Sequence, residues 1–184
     1  MRKRIYLELK DRLKRLIIND SGDIEMMSDK TLESIEKEGV SPNYAIKHFA
    51  LWNRQIEFIG EESIFDMPAI FFEFGKATWR HQSRGLQETD FTIILHVLTQ
   101  AVPEGYDGDL FHLDLLDCIN KCLHGYSTDY TTSISRIASI PCHDHMEILD
   151  STEIFNCVLY DDSAVYKLVK VRPDADIGVT FKKV

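Results

Sequence analysis

The sequence predicts a mixed fold of helices and strands, and three stretches predict it. Residues 64–74 (Ile64-Phe-Asp-Met-Pro-Ala-Ile-Phe-Phe-Glu-Phe) and residues 90–100 (Asp90-Phe-Thr-Ile-Ile-Leu-His-Val-Leu-Thr-Gln) have the length and the aromatic and β-branched content of buried strands. Residues 2–18 instead set Ile5, Leu9, Leu13, Leu16 and Ile17 at helical spacings with charges between them, which predicts an amphipathic helix packed on the sheet. At 184 residues the chain is expected to bury one sizeable core as one domain.

In order, that first helix is expected to stop at Asn19-Asp20-Ser21-Gly22-Asp23. A short acidic helix follows from Ser28 to Lys37, capped by Ser28 or Asp29 and closed by Gly39. Residues 46–52 fit a strand or a helix equally by periodicity. In the strand from Met67 to Phe74, Ile70, Phe72 and Phe74 share one face, and Ala69, Phe71 and Glu73 the other; both faces are mostly apolar, so cover is expected on each. From Gly75 to Thr89 the chain turns polar, as in a long hairpin connection. Asp109 to His124 predicts a second long helix with Phe111, Leu115, Ile119 and Cys122 inward and Gly125 beyond its end. Strands are expected at 134–140 and 146–159, and a peripheral hairpin over 161–184.

Composition excludes several classes of function. Apolar residues make up 44% and charged residues 28%, as in ordinary globular proteins, and no apolar run approaches the ~18 residues of a membrane span. The basic start, Met1-Arg-Lys-Arg, is interrupted by Glu8, Lys10 and Asp11 where a signal peptide needs an apolar segment, so a protein kept in the cytosol is expected. A net charge of −9 argues against nucleic-acid binding by the whole surface. Its distribution is uneven: residues 1–18 carry seven basic and two acidic side chains, a net of +5, which leaves −14 elsewhere.

Candidate chemistry is sparse. Cys142-His143-Asp144-His145, with Cys118, Cys122 and His124, has the residue types of a zinc site, but the histidines lack a second pair to complete a tetrahedral set. Cys118 and Cys122 read better as small hydrophobes, and all four cysteines, Cys142 and Cys157 included, as reduced thiols. No GxSxG, HExxH, P-loop or GxGxxG motif occurs in the chain. Glu73, inside an aromatic strand, is expected to pair with a basic neighbour. No catalytic residue, metal or cofactor is therefore assigned.

At Trp52-Asn-Arg-Gln, Pro68-Ala-Ile-Phe-Phe-Glu-Phe, the strand ending Leu95-His-Val, Leu115-Leu-Asp-Cys-Ile-Asn-Lys-Cys-Leu-His-Gly and Glu153-Ile-Phe-Asn-Cys-Val-Leu, the chain resembles the tail-terminator (tail-completion) proteins of tailed phages and prophages. The resemblance covers about residues 1–160. It implies an α+β fold with an N-terminal helix and a second long helix packed on an antiparallel sheet, and it resolves residues 46–52 as a strand. It further implies a structural protein, not an enzyme, that forms a ring, typically a hexamer, capping the tail tube and joining it to head-tail connector proteins. Such a protein works in the bacterial cytoplasm during assembly and then in the virion tail, with no membrane and no sequence-specific nucleic acid as partner. Two other classes stay open: a small metal-dependent or nucleic-acid-processing enzyme, and a monomeric binding module of a mobile element.

A ring of like subunits needs one surface to meet a different surface of its neighbour. The charge split suggests Arg4, Arg12 and Arg15 on the first helix as one half, and Glu104, Asp107, Asp109, Asp114 and Asp117 as the other. Arg80, His81, Gln82 and Arg84 are expected in a loop that orders only against a partner.

Overall fold

The first helix, α1 (Arg2–Leu13), exists because Ile5, Leu9 and Leu13 recur one turn apart and are all fully buried. The computed structural model describes residues 1–39, 41–55, 65–100, 108–142 and 148–165. Helix α1 is shorter than its apolar stripe suggests. Leu16–Ile18 is a strand, β1, paired antiparallel with β2 (Ile24–Met26). The residues expected to end the helix are instead a hairpin turn: the Asn19 side chain accepts hydrogen bonds from the backbone N–H of Ser21 and Asp23, and Gly22 supplies a φ of 87°. The β-branched pair Ile17-Ile18 favours that strand, while Leu16 stays buried under either geometry.

Helix α2 (Asp29–Glu38) has the expected bounds within a residue: Ser28 Oγ accepts from the N–H of Thr31, and Gly39 follows at φ 68°. The central sheet then assembles from β3 (His48–Leu51), β4 (Ala69–Phe74), β5 (Arg80–Ser83), β6 (Leu86–Gln100), β7 (Ser135–Cys142) and β8 (Ile148–Asp161). Its order is β3-β4-β6-β8-β7, with β5 pairing β6 off that path. The fold is α+β, but the sheet is mixed rather than wholly antiparallel, because β3 runs parallel to β4. Strands β6 and β8 form its spine, in register from Gln87 opposite Asp161 to Gln100 opposite Ile148.

The polar segment after Gly75 is a hairpin, as expected, with residues 75–79 irregular and the arms paired beyond them. Its residues Arg80–Ser83 pair with Glu88, Gln87 and Leu86 across a tight turn at Arg84-Gly85, both at positive φ. Gly85 is required there twice over: its φ is 90°, and a Cβ would lie 2.2 Å from the carbonyl oxygen of Ala164.

Helix α3 (Gly108–Leu123) and α1 cover one face of the sheet. Leu115, Leu116, Ile119, Cys122 and Leu123 meet Ile70, Phe72, Phe91, Ile93, Leu95, Val97 and Phe155 in one buried cluster. The chain leaves α3 through Gly125 at φ 78°. On the opposite face, Phe71, Leu98 and Ile148 pack with Trp52, Phe65 and Met67, so the alternation in β4 does find apolar cover on both sides. The C-terminal hairpin expected after residue 161 falls on residues 166–184, outside the described residues. Among the described residues, no helix is long and apolar enough to cross a membrane.

Candidate interaction surfaces

Each basic residue chosen from α1 is engaged within the chain. Arg12 donates from Nε to the carbonyl oxygen of Cys122 at 2.6 Å, and its guanidinium lies 4.0 Å from the Tyr126 ring centroid. Arg4 donates to the Tyr130 hydroxyl at 2.8 Å, and Arg15 pairs with Asp29. These arginines tie α1 to the end of α3, to the 126–130 loop and to α2. Their charge is thus engaged within the chain, where it helps to hold the fold.

Of the acidic candidates, Asp114 and Asp117 stand exposed on α3 beside Leu110 and Leu113, which are 54% and 57% exposed. Glu104 and Asp107 lie outside the described residues, as does the Asp109 side chain. In the β5–β6 hairpin, Arg80 reaches Asp90 at 3.1 Å and Glu88 at 3.4 Å, and these acids hold its pKa above the ordinary value. His81, Gln82 and Ser83 are exposed on a strand paired with β6, and Arg84 sits in its turn.

The cysteines serve packing. Cys118 Sγ contacts the carbonyl oxygen of Ile24 at 3.5 Å and Cys122 Sγ that of Arg12 at 3.6 Å. Burial raises the thiols of Cys122 and Cys157 to about 11, which leaves them protonated and unreactive at neutral pH. His124 is exposed, and His143 and His145 lie outside the described residues. Among the described residues, no three His, Cys, Asp or Glu side chains converge as metal ligands do.

Two polar networks hold the sheet. On the face away from the helices, Glu73 meets His96 Nε2 at 2.9 Å, as its place inside an aromatic strand suggested, and Trp52 stacks on the same imidazole at 3.8 Å. Under α3, His112 bridges Thr99 Oγ1 (2.8 Å) and Ser151 Oγ (2.9 Å). A serine at that distance from an imidazole has the spacing of a nucleophile and its base. With all three residues at most 5% exposed, however, the chain of hydroxyl, imidazole and hydroxyl pins α3 to β6 and β8 instead. Sequence reading missed His112, although its spacing from Leu116, Ile119 and Leu123 places it on the buried side of the helix.

The sheet's two borders differ in how they are finished. At β3, the outward carbonyl of Phe49 accepts from the Tyr6 hydroxyl (3.3 Å) and that of Leu51 from the Gln55 amide (2.7 Å). At β7 the one charged residue, Arg136, turns inward to the fully buried carboxylate of Glu153 at 3.1 Å, with Ser139 on the same carboxylate. Its outer side bears Ile137, 60% exposed at a bulge, and Ile140, 51% exposed. Near β3, two adjoining clefts of about 390 and 450 Å³ share Lys47 and Asp66. No protein-family model matches the chain, and neither does any curated protein.

Proposed function

We propose that this chain is a structural assembly protein of a tailed phage or prophage, a tail-terminator-like subunit. It forms a ring with copies of itself, typically six, which closes the tail tube and joins it to head-tail connector proteins. On this reading it carries no catalytic step. It acts in the bacterial cytoplasm during assembly and afterwards in the virion tail.

The sequence resemblance motivates the reading, and the β7 border is the observation that carries it. Sheet borders that stay in water are guarded by charged side chains, prolines, bulges or inward-pointing charged residues, because their unpaired N–H and C=O groups template pairing with other chains. On β7 the inward Arg136, the bulge at Ile137 and Pro141 give some of that guard, yet Ile137 and Ile140 stay more than half exposed with no exposed charge beside them on the strand. Pro141 limits the open stretch to Ser135–Ile140. Such a border suits a protein whose β7 side is covered in its working assembly. The helix layer has the same asymmetry. Helix α1 lies toward β3 and β4 through Tyr6, which contacts Phe49 and Phe72, whereas α3 lies over β6 and β8 through His112. The two sides of the subunit are thus chemically different, as contacts within a ring require.

Native mass spectrometry and electron microscopy of the purified chain test the proposal. A single closed oligomer with ring-shaped projections is expected, and a monomer at every concentration would overturn it.

A further inference from the structure

We infer that the lysine-rimmed cleft beside β3 is the receiving half of the subunit joint, and that the exposed leucine-aspartate face of α3 on a second copy is what it receives. This rests on the ring reading above and gives that contact its residues.

With Arg4, Arg12 and Arg15 engaged internally, the other exposed basic side chains of the N-terminal region are Arg2, Lys3 and Lys14. Lys14, at the end of α1, and Lys47, just before β3, line one cleft of about 390 Å³. Both are exposed, and neither has an ion pair among the described residues. The cleft wall between them combines apolar Pro42, Ile46 and Phe49 with Asn43 and Tyr44, and Asp66 lies on it as well. This is a pocket for an aliphatic side chain flanked by carboxylates.

Helix α3 presents that chemistry. Leu110, Leu113, Asp114 and Asp117 fall within two turns; both leucines are more than half exposed, and neither carboxylate has an ion pair among the described residues. A leucine seated against the half-buried Pro42 and Phe49 removes apolar surface from water on both sides. The aspartates meanwhile meet the lysines at the rim and set the orientation. Within one subunit α3 packs on β2, α1, β6 and β8 with its other side, which leaves Leu110, Leu113, Asp114 and Asp117 in solvent. A second copy covers them, with apolar burial supplying affinity and exposed charge pairs selecting direction.

Charge swapping tests the pairing. One variant carries Lys14→Glu and Lys47→Glu, the other Asp114→Lys and Asp117→Lys; all four positions are exposed, so each variant should fold, as circular dichroism can verify. Each alone should lose assembly at low ionic strength, with a dissociation constant weakened about tenfold or more. An equimolar mixture should regain it, because each altered cleft then meets an altered helix and each native cleft a native helix. Sedimentation velocity at matched salt reads all three samples. If the unaltered chain assembles and either variant assembles equally well, the pairing is wrong while the ring reading stands. If both variants fail and the mixture stays dissociated, the two surfaces do not meet. If the unaltered chain never assembles, the ring reading itself falls.

Discussion

The β3 and β7 borders belong to one sheet and end it in opposite ways. At β3, a tyrosine hydroxyl and a glutamine amide from the same chain take the carbonyls that would otherwise face water. At β7, Arg136 and Ser139 bond the buried carboxylate of Glu153, and Ile137 and Ile140 are left exposed. The difference shows where intrachain chemistry is complete and where it is not. Closing an edge needs only a few donors placed by neighbouring elements; leaving one open, apolar and uncharged is a liability unless something covers it.

The largest expected effect breaks the open side. Ile137→Lys combined with Ile140→Lys gives β7 the outward charge it lacks, and sedimentation should show assembly weakened more than about tenfold. The same double variant should unfold in urea within about 0.5 kcal/mol of the parent, since both side chains are already in water. Removing the inner anchor acts on stability instead. Glu153→Ala leaves Arg136 and Ser139 without their buried carboxylate and should cost about 3 kcal/mol, the lower end for a broken buried pair, because Arg136 keeps partial contact with water. Chemical denaturation measures the loss, and hydrogen exchange should localise it to β7.

In the helix layer, Arg12→Ala removes the bond to Cys122 and the stacking on Tyr126, which tie α1 to α3; about 2 kcal/mol is expected by the same urea titration. A Glu at this position should do worse, since it sets a carboxylate against a carbonyl. The smallest effect concerns the closed border. Tyr6→Phe deletes one hydroxyl and should cost about 1 kcal/mol while leaving assembly unchanged.

How much of this was legible in the sequence varied with the physics. Strands β4 and β6 were plain because burial on both faces demands unbroken apolar runs, and α3 because its stripe ends at a glycine that can take φ 78°. The end of α1 was misjudged because Leu16 falls on the helical stripe and is buried as a strand residue too, so periodicity could not separate the two. The direction of β3 and the pairing of β5 depend on contacts distant in sequence or on a turn among polar residues, which carry no periodic signal. The contacts of the arginines were hidden for a related reason. A helical wheel puts Arg12 beside the apolar stripe, but only the placement of Cys122 and Tyr126 across the interface gives it partners within the chain.

Hydrogen exchange followed by mass spectrometry across a dilution series tests the central claim most directly. If the β7 side is covered by another copy, amides of Ser135–Ile140 should be protected at high concentration and lose that protection on dilution, while those of the β6–β8 spine stay slow throughout. Protection of Ser135–Ile140 that does not change with concentration, in a chain that sediments as a monomer, would contradict it.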